Sequence, residues 1–225
     1  MEVFKNNTKY TDVQIKELIE LLTKVYQKAI EDSGGFSYFY INLAKMYQMA
    51  SMSARLDYLD QSLTLLNEAL VKTPNRIDIY YAMAQGYFMK DDIKSAEDSL
   101  NRALALGVRQ SEVYYRFAEI QVRKGDPQQA ILNINQSEKY GREWTFVELE
   151  NYAKLFIERK EWSAATKIFI KIDGLKPNNV DTYANIALSY SKAGDKKKAI
   201  EWANKILALD PSRTKEVQEF ISSLR

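Results

Sequence analysis

The sequence contains no cysteine and no histidine among its 225 residues. Without cysteine there is no disulfide, no thiolate metal site and no thiol nucleophile. Without histidine there is no imidazole base and no histidine-ligated haem. Glycine and proline are scarce, at eight and four residues, so tight turns are few. That disfavours sandwiches and barrels and favours long helices. No run approaches the roughly 20 apolar residues of a membrane-spanning helix. An excess of one charge is missing too: 32 Lys and Arg face 30 Asp and Glu, a net of +2. A protein built to coat nucleic acid or an acidic membrane by charge alone needs a larger basic surplus.

The N-terminus, Met1 to Tyr10, is polar, with Lys5, Asn6, Asn7, Thr8 and Lys9. It offers no apolar signal core, so the sequence reads without a secretory signal. The chain can equally be a soluble piece of a longer protein. Localisation stays open between the cytoplasm and a soluble face of the cell envelope.

What is present is repetition. Tyr80-Tyr81 returns as Tyr114-Tyr115, 34 residues on, and Lys176-Pro177-Asn178-Asn179 is followed at the same interval by Asp210-Pro211-Ser212-Arg213. Gly125-Asp126 with Ala130 returns as Gly194-Asp195 with Ala199. A period near 34 without strand signals predicts stacked helical hairpins.

Five units fit this period, near 37–76, 77–110, 111–145, 146–179 and 180–213. A small residue recurs on each first helix, at Ala44, Ala84, Ala118, Ala153 and Ala187. A large one precedes it by four, at Tyr40, Tyr80, Tyr114, Leu149 and Tyr183. A further large slot reads Tyr47, Tyr87, Gln121, Phe156 and Tyr190, and each second helix carries Ser62, Ala96, Ala130, Ala165 or Ala199. Proline closes three units, at Pro74, Pro177 and Pro211; Val108 and Arg142 stand there in the others. This pattern resembles the tetratricopeptide repeat family over nearly everything after Ser37. Small residues at fixed slots let helices approach closely while aromatics fill the neighbouring holes. The expected fold is all-α, and the resemblance implies a right-handed superhelical solenoid of antiparallel helix pairs. About five repeats (37–213) would follow an N-terminal segment and helix (1–36, a possible degenerate repeat) and precede a C-terminal capping helix (214–225).

Local signals agree. Thr11 with Gln14 forms a capping box pattern ahead of a helical apolar stripe from Ile15 to Ile30 that stops at Ser33-Gly34-Gly35. Asp126-Pro127 and Gly194-Asp195 are good starts for a second helix. Val217, Phe220, Ile221 and Leu224 make one apolar face on the closing helix. The first unit, 37–76, is 40 residues long, about six more than the others, and Met49 to Ala54 are the expected insertion.

Catalytic chemistry is hard to find. The acidic pairs Asp91-Asp92 and Glu148/Glu150 read as helix ends or solvated faces, and Asp91-Asp92 has no further oxygen ligands nearby for a metal. Gly34-Gly35 lacks the Lys-Ser/Thr of a phosphate loop. Lys196-Lys197-Lys198 reads as a solvated face. Asn135-Gln136-Ser137, a sequon on paper, falls inside a helix. No enzyme activity, cofactor or metal is expected.

A binding surface is the better reading. Tyr81 and Tyr115 each follow a core Tyr by one residue, about 100° around the helix, which points them to the inner face of the array. Along that face lie Ile41, Asn42 and Lys45, then Gln85, Phe88 and Met89, then Arg116, Glu119 and Arg123, then Asn151 and Lys154. The groove candidates are Tyr81, Gln85, Phe88, Tyr115, Arg116, Glu119, Arg123, Asn151 and Lys154. Such a mixed surface suits a peptide with one apolar side chain, or a partner helix. The paired Lys and Asn with which chaperone-binding members of the family clamp a terminal carboxylate have no match at Ile41, Lys45, Tyr81 and Gln85. Met46, Met49, Met52, Met83 and Met89 read as core and loop filler.

The expected function is therefore a non-catalytic scaffold that binds a protein or peptide in a concave groove, with no nucleic acid partner and monomer favoured. An alternative rests on Thr73-Pro74-Asn75-Arg76 and on Val217/Phe220. These resemble the soluble tails of bacterial O-antigen ligase-like membrane proteins, which would make the chain a regulatory domain of a larger membrane enzyme.

Overall fold

The computed structural model describes residues 11–53 and 56–224. The polar stretch Met1–Tyr10, and Ala54 of the expected insertion, lie outside the described residues. The described residues form helices and no strand. In chain order these are α1 (Asp12–Asp32), α2 (Ser37–Ser53), α3 (Leu59–Lys72), α4 (Ile77–Met89), α5 (Ile93–Ala105) and α6 (Gln110–Lys124), followed by α7 (Pro127–Lys139), α8 (Phe146–Glu158), α9 (Trp162–Leu175), α10 (Val180–Lys192), α11 (Lys196–Leu209) and α12 (Thr214–Ser223). One 3₁₀ turn, Pro211–Arg213, joins the last two. The chain divides into two compact units, Met1–Ile120 and Gln121–Arg225, with the division inside α6.

Both units use the same packing device. All ten small-slot residues, from Ala44 and Ser62 to Ala187 and Ala199, are at most 3% exposed. A Cβ and little else at these positions lets paired helices close together. Around them, Tyr40, Tyr80, Leu149 and Tyr183 are buried, and Tyr114 is half-buried.

In the N-terminal unit α2 pairs with α3 and α4 with α5, while α1 covers α2. The capping box of Thr11 and Gln14 forms as expected, and α1 ends at Ser33 with Gly34 and Gly35 at positive φ. The expected insertion is not a separate segment. Met49 to Ser53 continue α2, which has 17 residues against the 13 of α4. The extra turn exists because α1 gives it something to pack on: Ala50 is fully buried with Ile15, Ile19, Leu43, Met46 and Tyr47. The Ser51 hydroxyl then donates to the Tyr47 carbonyl (2.9 Å) and accepts from the Tyr58 amide (3.0 Å), which ties down the connection.

This unit also buries a polar centre. Gln48 donates to the Ala82 carbonyl (2.8 Å) and to the Ser62 hydroxyl (3.1 Å), which itself donates to the Ala44 carbonyl (3.0 Å). Three helices are joined by one amide, with its buried polar atoms satisfied. Gly86 makes the room, since a Cβ there would lie 3.0 Å from both Gln48 Nε2 and Leu63 Cδ2.

In the C-terminal unit α8 pairs with α9 and α10 with α11, and α9 also packs on α10. Val217 of α12 is buried with Tyr183, Ala187, Ala203 and Ile206, and Phe220 and Ile221 pack against them. The amphipathic closing helix thus covers the last pair. Asp126 accepts the Gln129 amide (2.9 Å) with Pro127 in the first turn, and Asp195 accepts the Lys198 amide (3.1 Å).

The turns inside the pairs α4–α5, α6–α7, α8–α9 and α10–α11 each contain one left-handed residue. Gly125 (φ +77°) and Gly194 (φ +88°) fill it at little cost. Asp91 (φ +62°) and Lys160 (φ +61°) fill it against the preference of L-residues.

Candidate functional site

In the N-terminal unit the first helices α2, α4 and α6 border an open hollow of about 630 Å³. Lys45, Gln48, Met49 and Met52 line it from α2, Asp78, Tyr81 and Gln85 from α4, and Arg109, Glu112 and Arg116 from the start of α6 and the connection before it. These side chains share a face because helical positions three and four apart stack.

The walls are braced by the protein's own charges. Asp78 takes Arg109 at 2.7 Å and Arg76 at 3.7 Å. Tyr81 donates its hydroxyl to the Arg109 carbonyl (3.0 Å). Arg109 has φ +49°, so both contacts hold a strained residue in place. Burial raises the Tyr81 hydroxyl to about 12, with Glu112 adding to the shift. Arg116 donates to Glu112 (3.1 Å) and Gln85 (3.0 Å), lies 3.5 Å from Glu119, and stacks over the Tyr115 ring at 5.6 Å. Tyr115 donates to Glu119 (3.0 Å).

Against this braced wall two features stay available. Lys45 is exposed and makes no ion pair with any described residue. Met52 is 70% exposed, beside half-buried Met49. The hollow therefore offers a polarizable apolar floor, the half-buried Tyr81 side chain and one unengaged cation.

The sequence candidates fall into two groups. Tyr81, Gln85 and Arg116 line the hollow. Phe88 and Glu119 border a narrow cleft behind it, with Gln85, Arg116 and Ala84, and Tyr115 is half-buried against Arg116 and Glu119. In the C-terminal unit Arg123 is exposed on the end of α6. Asn151 and Lys154 are exposed on α8, with Lys154 paired to Glu150 at 3.3 Å. Ile41, expected on the inner face, is instead core, 3% exposed among Tyr40, Leu66 and Ile79. Leu66 of α3 and Ile79 of α4 belong to the neighbouring helices that cover that side of α2. Lys45 lies on the expected face. Met49 and Met52, read from the sequence as core and loop filler, line the hollow instead, and Gln48, Asp78, Arg109 and Glu112 were not singled out from sequence. Spacing could have found Met49 and Met52, which continue the Lys45 face once α2 is known to run to Ser53.

The acidic pairs have structural jobs. Asp92 caps α5 through the Ser95 amide (3.1 Å) and is held below the usual carboxylate range chiefly by its hydrogen bonds from Ser95. Burial pushes Glu148 up, but hydrogen bonds from the Thr145 amide and hydroxyl, and Arg142 at 2.6 Å, outweigh it and keep the carboxylate low. No cluster of three or more acidic side chains suited to a metal occurs among the described residues, and none of their helices is long and apolar enough to cross a membrane.

Residues 180–213 match the tetratricopeptide repeat family model. No curated protein matches the sequence. Among solved structures, the chain is similar to YrrB, described as a tetratricopeptide repeat protein with an unusual peptide-binding site. That match has 20% identity and a TM-score of 0.57, over 83% of this chain and 92% of YrrB. It is also similar to a tetratricopeptide repeat protein from Parabacteroides merdae (16% identity, TM-score 0.55, 86% and 79% of the two chains). A chain of the APC/C Cut9–Hcn1 hetero-tetramer matches with 14% identity and a TM-score of 0.54, over 99% of this chain and 43% of that one. These likenesses show a shared fold. Tetratricopeptide repeat proteins are, in general, scaffolds that bind proteins or peptides.

Proposed function

We propose that this chain, whose fold is that of tetratricopeptide repeat proteins, is a non-catalytic scaffold that holds a peptide or short helix in the hollow of its N-terminal unit. The observation that carries the reading is the contrast inside the hollow. Arg109, Arg116, Asp78 and Glu112 are engaged with one another and their neighbours, whereas Lys45 and Met52 are open to a ligand. A braced wall keeps its shape when a partner arrives, which lowers the entropy lost on binding. An apolar side chain of the partner would lie on Met49, Met52 and the Tyr81 ring, with a polar group reaching Lys45. Among the acidic pairs, Asp92 and Glu148 cap helices and Glu150 pairs with Lys154, which supports a non-catalytic role.

The test is capture of partners from the source cell by the full chain and by a Met52→Asp/Lys45→Glu variant, read by mass spectrometry. Both side chains are exposed, so circular dichroism should not change. Loss of a specific protein from the variant's capture is the expected result. Capture that is identical in the two proteins overturns the reading.

A further inference from the structure

α1 is built like the second helix of a pair, without a first. α3, α5, α9 and α11 each pack on the first helix of their own pair, whereas α1 packs on α2, which follows it. Ile15 and Ile19 of α1 are buried with Leu43, Met46 and Tyr47 of α2, and Leu22, Tyr26 and Ile30 pack beside them. Leu18, Leu21, Val25 and Ala29 form a second apolar line, about 100° further round the helix. Leu21 and Val25 are 60% and 57% exposed, and Leu18 and Ala29 are half-buried. α12, which covers the last pair of the other unit, differs: it turns Lys215, Glu216, Gln218 and Glu219 outward, all exposed. A helix that closes a repeat stack needs a polar outer face. α12 has one, and the outer face of α1 carries an apolar line.

The charges of α1 say what fits this line. Glu17, Lys24 and Lys28 run along its open edge, with Gln14 and Asp32 at its two ends, all exposed. Glu17, Lys28 and Asp32 make no ion pair with any described residue. Gln14 uses its Oε1 on Thr11, which leaves its amide N–H groups for a carboxylate. A second α1 laid parallel would set Glu17 against Glu17 and Lys28 against Lys28. Laid antiparallel, with a two-fold axis level with Thr23, it sets Leu21 of one copy against Val25 of the other. Glu17 then comes beside Lys28, and Asp32 meets Gln14. The two Lys24 side chains approach near the axis, but on the solvated edge and with Glu20 of each chain within a turn of them.

We propose that two copies of the chain pair through α1, antiparallel about a two-fold axis, each α1 standing in for the first helix that the other lacks. Symmetry forms every contact twice. One helix per copy is a small interface, of the weak and transient class, so the dimer forms as concentration rises. This departs from the monomer expected from sequence. α1 lends no side chain to the lining of the hollow, and the proposal stands whatever the hollow binds.

The test is sedimentation of the full chain from low micromolar to near-millimolar concentration, where a monomer–dimer equilibrium is expected. Leu21→Glu/Val25→Glu should weaken pairing about tenfold or more. Both side chains are exposed, so circular dichroism should not change. A second pair of variants tests the register. Glu17→Lys and Lys28→Glu should each associate more weakly than wild type, because like charges then meet. Mixed together they should pair with one another, because every such contact then joins opposite charges, and added salt should shrink that preference. A wild-type chain that stays monomeric throughout, a dimer untouched by Leu21→Glu/Val25→Glu, or charge variants that pair no better mixed than alone would each overturn the proposal.

Discussion

The two units use the same core design and differ in what they build on it. Both close their helix pairs over residues of alanine size, and a left-handed residue turns α4 into α5 in one unit and α8 into α9 and α10 into α11 in the other. The N-terminal unit adds a buried amide, Gln48, that ties α2, α3 and α4 together, and a hollow braced by Asp78, Arg109, Arg116 and Glu112. On α8 of the C-terminal unit, the residues in the same register as the hollow's walls are solvated: Asn151 is exposed and Lys154 pairs with Glu150 one turn away. At the position one turn after the small slot, Gln48 of the first unit is matched by Ile157 and Ser191 further on. The difference teaches that the repeat pattern specifies packing, while the recognition surface comes from departures from that pattern.

The largest expected effect tests the shared part. Ala44→Leu in one unit and Ala187→Leu in the other should each cost about 1–3 kcal/mol by overpacking, measured from denaturant midpoints. Unchanged midpoints would mean these slots are not tight.

Next comes the buried amide. Gln48→Ala should cost about 2 kcal/mol, because it strips partners from the Ala82 carbonyl and the Ser62 hydroxyl. Ile157→Ala, at the matching but half-buried position, should cost only about 1 kcal/mol, since it loses partial apolar burial and no hydrogen bond. Equal losses would erase the distinction between the units.

Tyr81→Phe keeps the ring and removes the bond to the Arg109 carbonyl, at a cost of about 1 kcal/mol. It has a pH signature too. The folded hydroxyl titrates near 12 and the unfolded one near 10. Between those values the folded chain holds the extra proton, so stability falls as pH rises from about 10 to 12. Wild type should lose more stability over that window than Tyr81→Phe; parallel curves would show the hydroxyl is solvated.

The smallest effect concerns the turns. Lys160→Gly should stabilise by up to about 1 kcal/mol by relieving a left-handed lysine. Gly194→Lys should cost a similar amount, because a Cβ there meets nothing within 4 Å and only the backbone penalty acts. Thermal unfolding reads both, and equal Tm values in all three proteins would contradict the backbone account.

Most of the helical architecture was legible in the sequence, because burial at close helix crossings demands small residues at a fixed interval and Ala44 through Ala199 announce them. Caps such as Thr11, Asp126 and Asp195 were legible for the same local reason. The hollow was legible only in part. Tyr81, Gln85 and Arg116 follow from register, but the packing of α1 on α2 shifted what α2 presents. It carried Met52 into the hollow by prolonging the helix, while packing with α3 and α4 buried Ile41. Contacts across 28 and 31 residues, such as Tyr81 to Arg109 and Arg116 to Gln85, leave no local mark on the chain. Nor did any pattern announce that the Tyr81 hydroxyl would be occupied by the protein itself.

The most direct test of the central claim is site-specific photo-crosslinking in the source cell, with the photoreactive residue placed at Met52 in one protein and at Lys154 in another. A scaffold that binds in the N-terminal hollow predicts a discrete crosslinked partner from position 52 and none from position 154. The same partner crosslinking from position 154 and not from 52 would contradict the account and move recognition to the face of α8.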